Sequence, residues 1–156
     1  MLIAAAALIF TSATFPPGGT MPMATVYTQC GGTNRSPELH WAGAPRRTRS
    51  FALIVHDPDA PHPGGWYHWV AYNIPASAAG VAYGAGHIGT DGPNDFGNDE
   101  YDGPCPPPGR PHHYHFTLYA LDIPKIAGDR LNALQLKAAM EHHVLATVTL
   151  TGMYGR

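Results

Sequence analysis

FALIVHDPDAPHPGGWYHWVAYNIP, residues 51–75, sets the frame for the whole chain. Phe51 to Val55 is an unbroken apolar run, the pattern of a strand buried on both faces. It stops at Asp57-Pro58-Asp59-Ala60-Pro61, because proline cannot donate to a ladder and restricts the residue before it. Gly64-Gly65 then leads into a second strand, Tyr67–Ile74, closed by Pro75. Paired antiparallel, the end of the first strand lies beside the start of the second. Asp57 and His68 then share one rim of the sheet. A carboxylate and an imidazole at the mouth of a buried sheet are a site candidate.

Outward from this hairpin, 156 residues fit one domain spanning 1–156, large enough for a single core. Only 13% of the residues are charged, while Gly (18) and Pro (16) are abundant, the profile of a loop-rich β domain. The net charge of −2 supplies no basic field for nucleic acid or an anionic membrane. Ten histidines make the surface charge sensitive to acidification below about pH 6.5. Cys30 and Cys105 allow at most one intramolecular disulfide, and neither lies beside an obvious base. Two thiols leave open whether they are bridged.

Residues 1–10, MLIAAAALIF, read as an edge or first strand, with a signal remnant as the alternative. No Lys or Arg precedes the run, as a secretory leader requires, and it is too short to span a bilayer. The expected location is therefore the cytoplasm, or the periplasm or exterior if the segment is a signal. One or two short strands are expected within Leu2–Phe15, and a brief β-prone stretch at Val26–Gln29. Leu39–Trp41 is a short apolar stretch. Ala76–Tyr101, rich in Gly and Asn, reads as one long loop, and such loops are usually functional. Gly103–Gly109 must be stiff and extended, since Pro106-Pro107-Pro108 fix φ and remove donors. Tyr114–Leu121 and Val144–Thr151 read as strands. Asp129 is the expected N-cap of a helix over Arg130–His143, with Leu131, Leu134 and Ala138 on its inner face.

Polar groups gather at the expected strand ends: Asp57 and Asp59, His68, the proline loop, and His112-His113-Tyr114-His115. In an extended segment His112 and Tyr114 share one face, and His113 and His115 the other. The pair following Pro107 is the natural choice for a pocket. Asp57, His68 and His112 are adequate zinc ligands by type, yet nothing in their spacing imposes metal geometry, so no metal or cofactor is expected. The three tryptophans and Tyr72 are assigned to the core.

Asp57-Pro58-Asp59-Ala60-Pro61, Trp66-x-His68-Trp69-Val70 and Asn73-Ile74-Pro75 together resemble the phosphatidylethanolamine-binding protein family. Tyr101-x-Gly103-Pro104-Cys105-Pro106-Pro107 and His112-x-Tyr114-x-Phe116 extend the match, as do Asn34-x-Ser36-Pro37 and the closing Gly152-x-Tyr154-x-Arg156. The compact form looks like the bacterial and archaeal branch, related to the Raf kinase inhibitor proteins of animals. One departure stands out: Tyr27-Thr28-Gln29-Cys30-Gly31 has an extra residue before the cysteine, and Gly31 stands where relatives carry an acid.

The resemblance implies a mostly β sandwich: a large central antiparallel sheet, a smaller sheet packed on it and a C-terminal helix. It also implies a ligand pocket formed by Asp57, His68, Pro107, His112 and Tyr114, with Asp59 supporting the loop. The ligand expected there is a small anion: phosphate, a phosphoethanolamine-like phospholipid head group or an organic acid. Protonated His, Tyr hydroxyl and backbone N–H would supply the donors. Asp57 fits if it orients His68 and raises its pKa, or if it pairs an ammonium. Modulation of a kinase or protease partner is a further implication, and the oligomeric state stays open. The alternative is an enzyme using Asp57, His68, His112 and Tyr114 for acid–base catalysis, cyclising or condensing an acidic metabolite. No Ser or Cys nucleophile has a triad context, which disfavours acyl hydrolysis.

Overall fold

A computed structural model describes residues 7–156. In chain order it contains β1 (Ile9–Thr11), β2 (Leu39–Ala42), β3 (Ser50–Asp57), β4 (Trp66–Pro75), β5 (Gly80–Val81), β6 (Thr90–Gly92), β7 (His112–Leu121), the helix α1 (Ala133–Met140) and β8 (Val144–Tyr154). A five-stranded sheet runs β6-β4-β3-β7-β8 and a three-stranded sheet runs β1-β2-β5. All these ladders are antiparallel. Among the described residues the fold is therefore mostly β, with two antiparallel sheets and one α-helix.

The apolar run of β3 is buried on both faces because it is the middle strand of the large sheet. Phe51, Leu53 and Val55 enter a core with Trp41, Trp69, Phe116 and Leu118, which includes Phe10, Leu39 and Val81 of the small sheet. Ala52 and Ile54 point the other way, into a second cluster with Val70, Tyr72, Leu136 and Met140. Each face of the hairpin thus has its own apolar cover.

Several elements differ from the sequence reading. The signal alternative for residues 1–10 falls largely outside the described residues, and β1 occupies only Ile9–Thr11 of the expected Leu2–Phe15. Val26–Gln29 forms no strand; two 3-10 turns, Met23–Thr25 and Thr28–Cys30, flank Val26 and Tyr27. The long segment after β4 carries the short strands β5 and β6, because its Gly-rich turns bring it back against β2 and β4. The helix is shorter than expected and begins later. Asn132 is its N-cap, with Asn132 Oδ1 accepting from Gln135 N and Gln135 Oε1 accepting from Asn132 N. That reciprocal box outcompetes Asp129 because it satisfies two orphan donors at once. Ala133, Leu136 and Met140 face inward, while Leu134 is 67% exposed. No helix among the described residues is long and apolar enough to cross a membrane.

Candidate functional site

A cavity of about 290 Å³ opens where β3, β4 and β7 meet the loops at one rim of the large sheet. The end of β3 contributes Asp57, the start of β4 contributes Trp66 and His68, and the start of β7 contributes His112 and Tyr114. Loops add Tyr27, Phe96 and the wall Cys105-Pro106-Pro107. The structure thus brings together Asp57, His68, Pro107, His112 and Tyr114. Asp59 lies outside the lining.

A β-bulge aims His68. Val55 pairs with Trp69, but His56 pairs with Tyr67, so His68 is the extra residue between them. Beyond the bulge the alternation of faces switches: Trp66 and His68 face the cavity, while Trp69 and Ala71 take the core side. The imidazole is buried, and its Nδ1–H donates to the Asp102 carbonyl at 2.7 Å. Burial is the main influence and pushes the His68 pKa below its ordinary value, against upward pulls from the Asp102 carbonyl and the Asp57 charge. His68 is therefore neutral at pH 7, with Nε2 as a lone-pair nitrogen. The expectation that Asp57 would keep it cationic gives way to desolvation.

Asp57 is instead committed to β7. One carboxylate oxygen accepts from His112 Nδ1 at 2.7 Å, and the other from the Asp59 amide at 2.9 Å. The second bond is an Asx turn that folds the DPDAP loop. Asp59 secures that loop from outside the cavity: its carboxylate accepts from both the ring and the backbone N–H of His113. Those bonds hold Asp59 below the usual carboxylate range. The alternation expected along β7 is present, with His113 and His115 stacked on the outer face at 6.0 Å between ring centres.

Three buried side-chain polar atoms lack a partner among the described residues: Thr48 Oγ1, Trp66 Nε1 and Tyr114 Oη. Two of these belong to cavity residues. Tyr114 packs edge-on to His68 at 5.2 Å, and burial, reinforced by the Asp57 charge, drives its phenol pKa far up, so it remains a donor. Among the described residues no Lys or Arg lines the cavity. No cluster of three His, Cys, Asp or Glu suited to a metal occurs among the described residues.

Sequence reasoning missed Trp66, Tyr27, Phe96 and Asp102. Trp66 lines the cavity and does not join the core expected for the tryptophans, since its spacing of two from His68 puts both on one face. Phe96 and Tyr27 come from separate loops and meet only in the fold, their rings 4.5 Å apart. Asp102 is buried behind His68. Cys30 and Cys105, left unpaired or paired by the sequence, form a disulfide with Cα atoms 5.5 Å apart.

The His68 environment predicts a pH dependence of stability. The unfolded histidine titrates near 6.5, while burial lowers the folded value, as it does for His115. Just below pH 6.5 the unfolded chain binds more protons, so this stability is present above that pH and declines as pH falls. Thermal melts between pH 8 and 5 should show Tm dropping below about pH 6.5, and His68→Gln should flatten the slope. A Tm that rose on acidification would contradict this.

The family model described as phosphatidylethanolamine-binding protein matches residues 11–155. This chain belongs to the phosphatidylethanolamine-binding protein family. The UPF0098 protein YbcL of Escherichia coli is 42% identical over 135 residues, covering 80% of this chain and 74% of YbcL. A UPF0098 protein of the archaeon Methanothermobacter thermautotrophicus is also 42% identical, covering 81% and 87%. The solved structure of E. coli YbcL, described as a new member of the mammalian PEBP family, superposes with a TM-score of 0.91. That superposition covers 97% of this chain and 99% of the other, at 36% identity. A homologue from Chlamydia trachomatis gives a TM-score of 0.88 at 36% identity, covering 96% and 98%. The two-sheet architecture is thus the family's.

Proposed function

We propose that this member of the family binds a small anion or an anionic head group, such as phosphate or phosphoethanolamine, in the cavity at the sheet rim. The observation that carries this reading is the pair of buried donors, Trp66 Nε1 and Tyr114 Oη, left without partners in the cavity wall. A buried donor without a partner costs about 1–3 kcal/mol, and a ligand oxygen would relieve that cost. His112, oriented by Asp57, adds a third polar group, and its Nδ1 bond leaves Nε2 for a ligand. With no Lys or Arg in the lining, a singly charged group suits the site better than a dianion. Inhibition of a kinase or protease would use the same rim. The Cys30–Cys105 bridge favours an oxidising compartment over the cytoplasm.

NMR titration with inorganic phosphate and phosphoethanolamine at pH 6 and 8 tests the reading. Saturable shifts at Trp66, His68, His112 and Tyr114, weaker at pH 8 and weakened several-fold in Tyr114→Phe, are expected. Absence of shifts at both pH values sinks it.

A second reading, acid–base catalysis on an organic acid, draws on the Asp57–His112 pair and the neutral His68 beside it. It requires that Asp57→Asn abolish turnover of such a substrate while leaving the fold intact.

A further inference from the structure

We infer that the Cys30–Cys105 disulfide is a redox control on this cavity, holding one of its walls in the binding arrangement. The inference rests on the reading of the cavity as a ligand site. Cys105 lines the cavity, and Cys30 closes the Thr28–Cys30 turn, which brings Gln29 into the lining. The turn's own hydrogen bonds are local: Cys30 N to Tyr27 O, Gly31 N to Thr28 O and Gly32 N to Tyr27 O. Among the described residues, no hydrogen bond joins Thr28–Gly31 to a distant part of the chain. The flanks are tied, with Tyr27 N donating to Pro104 O at 3.0 Å and Asn34 N donating to Val26 O at 2.9 Å. Beyond the Tyr27–Pro104 bond at the turn's first residue, the sulfur–sulfur bond is, among the described residues, the only covalent or hydrogen-bonded link from Thr28–Gly31 to the proline wall opposite.

The opposite wall is stiff by composition, since Cys105 precedes three prolines, and Pro106 O accepts from Arg156 Nε at 2.8 Å. Loss of the bridge therefore frees the turn rather than the proline loop. Tyr27, which begins that turn, lies on Phe96 at 4.5 Å, and both residues line the cavity. Both sulfurs belong to half-buried residues, and Cys105 lines the cavity itself. Reduction is a two-electron exchange. A dithiol attacks one sulfur, the S–S bond breaks through a mixed disulfide, and the products are two protein thiols and the oxidised dithiol. The ligand must then order the freed turn on binding, which weakens its apparent affinity.

The test compares oxidised protein, protein reduced with dithiothreitol (uncharged, so no competitor for an anion) and Cys30→Ala/Cys105→Ala. Each is titrated at about 15 °C with inorganic phosphate and with phosphoethanolamine, with free thiols counted and 15N relaxation recorded. Reduced protein with two free thiols should bind at least about fivefold more weakly, with faster motion at Thr28–Gly31 and unshifted core amides at Phe116 and Leu118. Reoxidation should restore both. Equal affinity in the oxidised and reduced forms overturns the inference. If neither probe binds the oxidised protein, the anion reading falls instead, and relaxation decides: an unmoved turn overturns the control, a mobilised one upholds it. If reduction unfolds the protein, the double-alanine variant supplies the comparison. Unfolding of both overturns the inference, because the bridge is then a scaffold and not a control.

Discussion

Reducing the Cys30–Cys105 bridge is expected to lower Tm by roughly 10 °C, one of the two largest effects open to a simple manipulation of this protein. The two cysteines are 75 positions apart, so the bridge closes a long loop in the unfolded chain. In the chain-entropy treatment a loop of that length is worth about 4.5 kcal/mol, since the term grows with the logarithm of loop size. A domain of 156 residues moves by about 2–4 °C per kcal/mol, which makes the stated shift the lower end of the range. The folded state loses few contacts beyond the freed turn, which keeps its local hydrogen bonds. The effect lies mainly in the unfolded ensemble. Melts with and without dithiothreitol, repeated on Cys30→Ala/Cys105→Ala, measure it. A shift under about 3 °C in both would mean that the unfolded chain gains little freedom when the bridge opens.

The frame of the fold was legible because its signals are local. The apolar run of β3, its stop at Pro58 and the second strand ending at Pro75 each depend on adjacent residues, and they place Asp57 and His68 at one rim. The alternation along β7 likewise separates His112 and Tyr114 from His113 and His115. What remained hidden depends on distance or register. The bulge at His68 arises from unequal pairing of β3 and β4, which no single-strand periodicity reveals, and it changes which residues face the core. The choice of Asp57's partner is another such case. His68 is near in sequence, but His112, 55 positions away, is presented at 2.7 Å by the adjacent strand. The helix start turned on a contest between Asp129 and Asn132 that only the Gln135 side chain resolves. The tie between the proline wall and the Thr28–Cys30 turn was open because two cysteines in a sequence do not show whether the fold brings them together.

Asp102 is where a single substitution should cost most, although its place between Tyr101 and Gly103 gave no sign of it. Its carboxylate is buried and accepts three side-chain amides: Asn34 Nδ2 on one oxygen, Asn94 Nδ2 and Asn98 Nδ2 on the other, each at 2.8 Å. Its backbone clamps β4 at the bulge, with its N–H donating to His68 O at 3.0 Å and its carbonyl accepting from His68 Nδ1. Asn34 returns to the same segment by accepting from the Gly103 amide at 2.8 Å. Two loops and the start of β4 thus converge on one carboxylate behind the cavity. Asp102→Ala leaves three amides without their acceptor; each unsatisfied group costs about 1–3 kcal/mol, and partial rehydration of the half-buried Asn34 and Asn98 brings the total to roughly 3–5 kcal/mol. Asp102→Asn keeps the shape but turns an NH2 group towards at least one of the three amide donors, so it should still cost about 2 kcal/mol. Asn98→Ala, which removes one bond at the edge of the network, should cost less than either. Chemical denaturation of the three variants ranks them. Long-range 1H–15N spectra of His68 add a readout of the site, where a mixed tautomer in Asp102→Ala is expected once the carbonyl that fixes Nδ1–H is free to move. A loss below 1 kcal/mol for Asp102→Ala would show that water replaces the carboxylate without strain, and that His68 is held by the bulge alone.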